Sequence, residues 1–175
     1  GMIPGETSSE RDAVILDGLS RFAGRSLVVD EKVYRSESET GDRNRALAFL
    51  LRSHGVIGPD PQAVAESYFR QCSIVVTVQD VAVMAATLAF GGRNPVTGEQ
   101  VVSPTIARDV VSVMTSCGMY DFSGEWMLRV GMPAKSGVSG GILAVSPSQF
   151  GVGVFSPRLD QHGNSVRGIS LLEKL

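Results

Sequence analysis

The sequence is poor in the residues that build metal sites and disulfides. Its 175 residues include two cysteines, Cys72 and Cys117, and two histidines, His54 and His162, with no Cys-x-x-Cys or His-x-x-x-His spacing. Zinc sites in proteins use about four closely spaced ligands of these kinds, so the sequence predicts no metal site and no cofactor. Each cysteine ends an apolar helical pattern, which favours two buried free thiols over a disulfide or a metal site.

The chain also lacks a strong net charge and a long apolar run. Its formal charge of −2 gives no reason to expect nucleic acid or an anionic membrane as a partner. The longest run that is apolar apart from one threonine, Val81 to Phe90, is well short of the roughly 18 residues of a membrane-spanning helix. Residues 1–12 have neither the basic start nor the apolar centre of a secretion signal. These absences predict a soluble, cytoplasmic protein.

Helical patterns occupy most of the chain, and 43% of the residues are hydrophobic, enough for one domain over residues 1–175. The run Val81 to Phe90 is apolar all round and predicts a buried central helix. The polar segment Ser36 to Asp42 has no apolar periodicity and predicts a loop. Capping residues and apolar spacing predict helices that begin near Thr7, Arg43, Asp60, Thr77, Ser103, Gly124 and Ser165.

Two apolar runs near the end of the chain predict a β-hairpin. Ile142 to Val145 and Phe150 to Phe155 flank Ser146-Pro147-Ser148-Gln149, a composition typical of a turn. Just before them, Lys135-Ser136-Gly137 brings an ammonium, a hydroxyl and backbone N–H groups to the sheet edge, where they can hold a carboxylate or carbonyl oxygen. The sequence therefore predicts an α+β fold, a helical cluster beside a small C-terminal antiparallel sheet.

The Lys-Ser-Gly triplet resembles the Lys-Thr-Gly element of serine β-lactamases and penicillin-binding proteins. A wider set of motifs resembles, in order and over nearly the whole chain, the β-lactamase-like glutaminases, which hydrolyse L-glutamine to L-glutamate and ammonia. These motifs are Ser36-Glu37, Asp42-Arg43-Asn44, Tyr68 to Ser73, Met84 to Leu88 ahead of Gly91-Gly92, Tyr120 to Glu125, Pro133 to Gly141, Ser156-Pro157, Leu159-Asp160 and Gly163 to Val166. The resemblance implies a β-lactamase-like fold and glutaminase activity.

One element of that family's pattern is absent. The related enzymes carry their nucleophile in a Ser-x-x-Lys element near the front of the chain, followed by Asn-Pro-x-x-Asn, but no serine here has a lysine three residues later. The resemblance therefore implies the C-terminal half of a glutaminase, without the N-terminal part of the fold and inactive alone. Gly1-Met2 is typical of a cloning scar before a start residue. The strand edge left open predicts a homo-oligomer.

The resemblance also implies which residues bind L-glutamine and act on it. From the pattern alone, Glu37 is a solvated charge and Asn44 a cap or surface residue, but their positions match the family's substrate-binding glutamate and asparagine. The pair suits an α-amino acid, because a carboxylate binds its ammonium and an amide donates to its carboxylate. Lys135 and Ser136 are implied catalytic residues. The Val138 N–H is an implied oxyanion-hole donor, a contact worth about 3 kcal/mol in the transition state.

Tyr68 and Tyr120 fall on family positions as well. Without the resemblance, both are half-buried core aromatics. The resemblance implies that both contact the substrate and that Tyr68 helps to pass a proton to the leaving ammonia; Tyr34 has no such match. Ser139 lies in a Gly-x-Ser-x-Gly sequence, but a nucleophile elbow needs a helix after the serine, and a strand is predicted there.

Three interpretations of the function follow. The leading one is the substrate-binding half of a serine-dependent glutaminase. A penicillin-recognising acyl-serine protein would share the Lys-Ser-Gly edge but gives no reason for the Tyr-x-x-Gln-Cys-Ser and Gly-Asn-Ser-Val-x-Gly sequences. A non-catalytic remnant or binding module of the same fold would account for the absent nucleophile.

Overall fold

The computed structural model describes residues 3–58 and 60–175, so the prediction for Gly1 and Met2 lies outside the described residues. The chain forms two compact units. The first comprises Gly1–Ser20 and Ser26–Val75, and the second comprises Arg21–Arg25 and Val76–Leu175. The single domain over residues 1–175 stays a prediction.

The first unit is helical and contains one short antiparallel ribbon. In the ribbon, Val28 pairs with Val75 and Val29 with Ile74. The predicted caps are confirmed: Thr7 accepts from the Glu10 N–H at 3.2 Å, and Asp60 accepts from the Ala63 N–H at 2.9 Å. Its elements are α1 (Ser8–Ala23), whose last three residues belong to the second unit, β1 (Val28–Val29), α2 (Glu31–Thr40), α3 (Asp42–Ser53), α4 (Pro61–Cys72) and β2 (Ile74–Val75).

The prediction of a loop from Ser36 to Asp42 is wrong, because α2 continues to Thr40. Asp30 caps this helix by accepting from the backbone N–H groups of Lys32 and Val33. None of its residues is fully buried, so it has no apolar periodicity to detect. Polar contacts hold it instead: the Ser38 hydroxyl donates to Glu66 of α4 at 2.8 Å.

The core of the first unit is small and centred on Phe69, whose side chain is completely buried. Ala48 and Ala65 are buried next to it. Gly41, between α2 and α3, lies directly against the Phe69 ring, where any Cβ would overlap the ring carbons. The guanidinium of Arg45 stacks on the same ring at 5.1 Å from its centroid. This close approach fixes the turn from α2 to α3 against α4.

The second unit places helices beside an antiparallel sheet, which confirms the predicted α+β arrangement. Its elements are α5 (Val78–Ala89), α6 (Pro104–Cys117), a single 3₁₀ turn (Tyr120–Phe122), α7 (Ser123–Arg129), β3 (Ala134–Ser136), β4 (Gly141–Ser146), β5 (Phe150–Phe155) and α8 (Val166–Leu172). The strand order is β3-β4-β5, with Lys135 opposite Leu143 and Leu143 opposite Gly153. The predicted hairpin is therefore confirmed.

Two glycines let α5 pack tightly on β5. A Cβ at Gly151 would overlap the backbone of Ala85 and Ala86, and one at Gly153 would lie 2.6 Å from the Val78 carbonyl oxygen. The run Val81 to Phe90 is not buried all round as predicted, because only Ala85, Thr87 and Ala89 of it are buried, and Phe90 just past the helix is 46% exposed. The second unit also contains a buried apolar core. It consists of Met119, Phe122, Trp126, Ala134, Ile142, Ala144, Ile169 and Leu172.

The prediction of buried cysteines is wrong, because Cys72 and Cys117 are both exposed free thiols. The buried positions of α4 repeat every four residues through Phe69 to Ser73, which places Cys72 beside the buried stripe rather than in it. Among residues 3–58 and 60–175, no helix combines the length and apolar character that a membrane crossing requires.

Candidate functional site

The Lys-Ser-Gly segment lies on β3, and α6 closes the outer edge of that strand. The Ser136 N–H donates to the Gly118 carbonyl at 3.0 Å. Gly118 is the residue that ends α6, and a Cβ there would overlap the Ala134 carbonyl oxygen. The side chains of β3 alternate, with Ala134 and Ser136 buried and Lys135 exposed. The strand therefore presents the Lys135 ammonium from a fixed backbone.

Lys135 and Tyr120 are in direct contact. The Lys135 Nζ lies 4.5 Å from the centroid of the Tyr120 ring, and it donates to the Ser136 carbonyl oxygen. Partial burial of the ammonium lowers the pKa of Lys135, and the nearby Cys117 acts in the opposite direction. Lys135 as a whole residue remains exposed. A cation held over an aromatic face can attract an anionic or carbonyl oxygen from the ligand side.

Tyr120 has a strained backbone for a residue with a side chain. Its φ is +58°, a value that glycine adopts far more readily. Ser123 holds this conformation: its hydroxyl donates to the Tyr120 carbonyl at 2.8 Å and accepts from the Met119 N–H at 3.0 Å. The Tyr120 hydroxyl donates to the Ser136 carbonyl at 3.4 Å. Strain of this kind is common where a side chain must be aimed at a ligand.

Ser136 makes a buried hydrogen bond that the sequence analysis did not predict. Its hydroxyl donates to Asn164 Oδ1 at 2.5 Å, and Asn164 is completely buried. Asp160 fixes the loop before Asn164, since its carboxylate accepts from the N–H groups of His162 and Asn164 at 2.9 Å each. The only sequence signal for this contact was the Gly163-Asn164-Ser165 motif. Ser136 thus ties the strand to the loop that precedes α8.

The turn after β3 leaves a backbone donor available. The Gly137 N–H donates to the Gly141 carbonyl and the Gly140 N–H to the Gly137 carbonyl, each at 2.9 Å. Within the part of the chain that the structure describes, the Val138 N–H donates to no protein acceptor. As expected, β4 and not a helix follows Ser139, so the nucleophile-elbow geometry is absent. The geometry of this turn suits a donor for a ligand oxygen.

The first unit holds the other predicted residues, on three successive helices. Glu37 lies on α2, Asn44 on α3 and Tyr68 on α4. Asn44 and Tyr68 both line a cavity of about 290 Å³, whose other walls are Leu47, Ala48, Leu51, Ile57, Val64 and Ala65. The side chain of Tyr68 is 48% exposed, with its ring edge-on to Phe69 at 6.1 Å between centroids. Asn44 and Tyr68 are therefore brought together.

Tyr68 also connects to Cys72, a residue the sequence analysis assigned to the core. Burial raises the pKa of the Cys72 thiol, a hydrogen bond from Tyr68 lowers it, and the charge of Glu37 raises it. Tyr68 and Glu37 therefore act on the Cys72 pKa in opposite directions. Among residues 3–58 and 60–175, no three His, Cys, Asp or Glu side chains are arranged to hold a metal ion.

The comparisons with known proteins agree with one another. Residues 1–175 match the family described as Glutaminase. The chain is 58% identical over its whole length to Glutaminase 1 of Bradyrhizobium diazoefficiens, of which it covers 28%. It is also 54% identical, over 99% of its length, to the glutaminase of Clavibacter michiganensis, of which it covers 54%. The chain therefore spans about half the length or less of these relatives.

Solved structures of similar proteins share the fold. A crystal structure of Mglu in its glutamate form superposes with a TM-score of 0.95 at 49% identity, over 98% of this chain and 40% of that one. The Bacillus subtilis glutaminase YbgJ, in a covalent complex with 5-oxo-L-norleucine, gives a TM-score of 0.95 at 36% identity, over 99% of this chain and 62% of that one. These matches confirm the predicted fold, while the roles of the site residues stay predictions.

Proposed function

Because this chain belongs to the glutaminase family, we propose that it is the substrate-binding half of a serine-dependent enzyme that hydrolyses L-glutamine to L-glutamate and ammonia. The observation that carries this proposal is the β3 edge: the Lys135 ammonium lies over the Tyr120 ring, and the Val138 N–H in the next turn has no protein acceptor among the described residues. Such donors stabilise an oxyanion because they need no reorganisation when the charge develops.

The remaining predicted residues suit the amino-acid end of glutamine. We assign the Glu37 carboxylate to the α-ammonium group and the Asn44 amide to the α-carboxylate, since each is the complementary partner. The cavity beside Asn44 and Tyr68 has apolar walls, which suit the methylene groups of the substrate. Mglu has been solved in a glutamate form, and glutamate is the product of the proposed reaction.

The nucleophile of the proposed reaction is a serine outside this chain. Activated by a lysine, its hydroxyl attacks the side-chain amide carbon, the C–N bond breaks, and the nitrogen leaves as ammonia after receiving a proton. Tyr68 is assigned to that proton transfer, and Lys135 and Ser136 to holding the reacting carbonyl. Water then cleaves the acyl-enzyme to glutamate. The covalent complex of YbgJ with 5-oxo-L-norleucine, formed from 6-diazo-5-oxo-L-norleucine, supports a nucleophile of this kind in the family.

We place the enzyme in the cytoplasm.

An ammonia-release assay tests the proposal. The chain alone is expected to release no ammonia from L-glutamine. Joined to the part of the Clavibacter michiganensis glutaminase that it does not match, it should become active, and Lys135→Ala should reduce that activity by at least about 100-fold. Ser139→Ala, in the turn that follows β3, is the control and should retain activity. Glutaminase activity of the chain alone at a normal enzyme rate, or a joined protein indifferent to Lys135→Ala, would contradict the proposal.

A second candidate is a non-catalytic binding module of the same fold. The absence of any Ser-x-x-Lys sequence from the chain favours it. The two candidates differ in one measurement: a binding module would bind L-glutamine or L-glutamate, but its joined form would not release ammonia.

A further inference from the structure

The carboxylate of Glu66 on α4 connects the three helices that carry predicted substrate residues. It accepts hydrogen bonds from the Ser38 hydroxyl of α2 and from Arg45 Nη2 of α3, each at 2.8 Å. Arg45 Nη2 also donates to the Ser38 hydroxyl oxygen at 3.1 Å. Tyr34 of α2 and Gln62 of α4 donate to the same carboxylate at 3.2 Å and 3.0 Å. Helices α2, α3 and α4 are therefore joined through one charged group.

These hydrogen bonds fill the acceptor capacity of Glu66. Each of its carboxylate oxygens receives two of them, and an ionised carboxylate has about four lone-pair sites. Burial raises the pKa of Glu66, but the hydrogen bonds from Arg45, Ser38 and Tyr34 together outweigh burial and lower the pKa. The group is therefore ionised at neutral pH, and its oxygens are occupied by the protein rather than open to a ligand.

The residues bonded to Glu66 are sequence neighbours of two predicted substrate residues. Ser38 directly follows Glu37 on α2. Arg45 directly follows Asn44 on α3. Because no residue of α2 is fully buried, polar contacts such as the one from Ser38 decide where that helix lies. A change at Glu66 should therefore move both substrate residues.

We propose that Glu66 is a positioning residue for the glutamine site, because its carboxylate fixes the two helices on which substrate residues lie. The Ser38 hydrogen bond sets the place of Glu37. The Arg45 hydrogen bond sets the place of Asn44. This inference rests on the proposed function, in which Glu37 binds the α-ammonium group of the substrate and Asn44 binds its α-carboxylate. Loss of one hydrogen bond should therefore weaken binding of one end of the ligand.

Hydrogen exchange gives the first test, and this test needs no ligand. Glu66→Gln removes the charge and replaces one accepting oxygen with a donor, so α2 should open more often. Exchange of the α2 amides, measured by mass spectrometry, should become roughly three- to tenfold faster. Glu39→Gln is the matched control, since Glu39 is an exposed glutamate of α2, and it should leave the rate unchanged. Equal α2 exchange in the Glu66→Gln protein and the unchanged chain would overturn the proposal.

Ligands that lack one end of the amino acid give the second test. NMR titration measures the dissociation constants of L-glutamate, of glutarate, which lacks the α-ammonium, and of γ-aminobutyrate, which lacks the α-carboxylate. Ser38→Ala should weaken binding of L-glutamate and γ-aminobutyrate by roughly three- to tenfold and leave glutarate within about twofold. Arg45→Met keeps an unbranched apolar stem beside the Phe69 ring. It should weaken L-glutamate and glutarate by a similar factor and leave γ-aminobutyrate unchanged.

Ser36→Ala and Arg52→Met are the matched controls for the binding test. Both residues are exposed, one on α2 and one on α3, and neither variant should change a dissociation constant by more than about twofold. A general disturbance of the fold would weaken all three ligands equally in the Ser38→Ala and Arg45→Met proteins, and that result would overturn the positioning role. If α2 exchange responds to Glu66→Gln but the unchanged chain binds none of the ligands, the connection between the helices holds, and the proposed function fails together with the positioning role.

Discussion

At the scale of single residues, Asp80 shows how a buried charge can be stabilised. Its carboxylate accepts from Arg25 Nε at 2.7 Å and Nη2 at 2.5 Å, and from the Thr77 N–H at 2.7 Å and hydroxyl at 2.8 Å. Its side chain is 7% exposed. The Arg25 hydrogen bonds, followed by those from Thr77, hold the pKa of Asp80 well below its usual range despite burial. The ionised form is therefore the one that stabilises the fold.

Asp80→Asn should lower the free energy of unfolding at pH 7 by about 2–3 kcal/mol, because it removes the charge of a buried, hydrogen-bonded pair. The folded pKa lies below the unfolded value near 3.9. The contribution is thus present above that value and is lost as the pH falls through it toward the folded pKa. Urea unfolding at pH 7 and pH 3 should show the difference between the two proteins shrinking.

The matched control is Asp109→Asn, since Asp109 is exposed and forms an ion pair with Arg108 at the surface; it should change stability by under about 0.5 kcal/mol. An Asp80→Asn deficit that stayed constant between the two pH values would show that geometry, and not charge, makes the contribution.

The hydrogen bond between Ser136 and Asn164 allows a structural role of the Ser136 hydroxyl to be tested separately from a catalytic role. Ser136→Ala leaves the buried Asn164 oxygen without its donor, which should cost about 1–3 kcal/mol of stability in chemical denaturation. Ser139→Ala, at an exposed position in the turn that follows β3, should change stability by less than about 0.5 kcal/mol. A stable Ser136→Ala protein would mean that the hydroxyl is kept for the ligand rather than for the fold.

Candidate site residues could be identified from the sequence only where a motif singled them out, and their roles stay predictions. Lys135 and Tyr120 were both identified from motifs, and the structure places them in contact. Asn164 and Cys72 also lie in family motifs. Nothing in the sequence, however, predicts that the buried Asn164 amide accepts a hydrogen bond from Ser136, 28 positions earlier. Such pairings depend on loop geometry, here the turn held by Asp160, which local patterns do not encode.

At the scale of secondary structure, the packing of α5 on β5 depends on glycine. Gly151→Ala should destabilise the protein by about 2 kcal/mol or more, because the added methyl group overlaps the helix backbone, which cannot move aside as a flexible side chain can. Gly124→Ala in α7 meets no atom within 4 Å and should stabilise by up to about 1 kcal/mol, since alanine favours helix. Thermal unfolding measures both. A tolerated Gly151→Ala would contradict the tight packing of this helix.

Elements with apolar periodicity or clear caps were predictable, and those held by polar contacts were not. The capping box at Thr77 and Asp80 marked the start of α5, and the hairpin followed from two apolar runs. The segment after Ser36 was misassigned because α2 has no buried face. The strand β2 was missed because two residues, Ile74 and Val75, are too short to show alternation.

At the scale of the molecule, the sheet is open on one side. Gly118 closes the outer edge of β3, whereas β5, within residues 3–58 and 60–175, pairs only with β4. The sequence of β5, Phe150 to Phe155, contains no charge and no proline. Proteins protect exposed strand edges with charged residues and proline. A strand edge that has neither favours pairing with another strand. The homo-oligomer predicted from the sequence has its best candidate interface here.

Self-association through β5 predicts a concentration-dependent rise in mass in sedimentation velocity. Phe155→Lys should weaken it by roughly tenfold, about 1.4 kcal/mol, because Phe155 is 59% exposed at the end of the strand and a lysine there repels a second copy. Leu128→Lys is the matched control, since Leu128 of α7 is 87% exposed and lies outside the sheet. A chain that is monomeric at all concentrations would remove the oligomer prediction. Equal dissociation by both variants would place the interface elsewhere, because a lysine on α7 cannot act through the edge of β5.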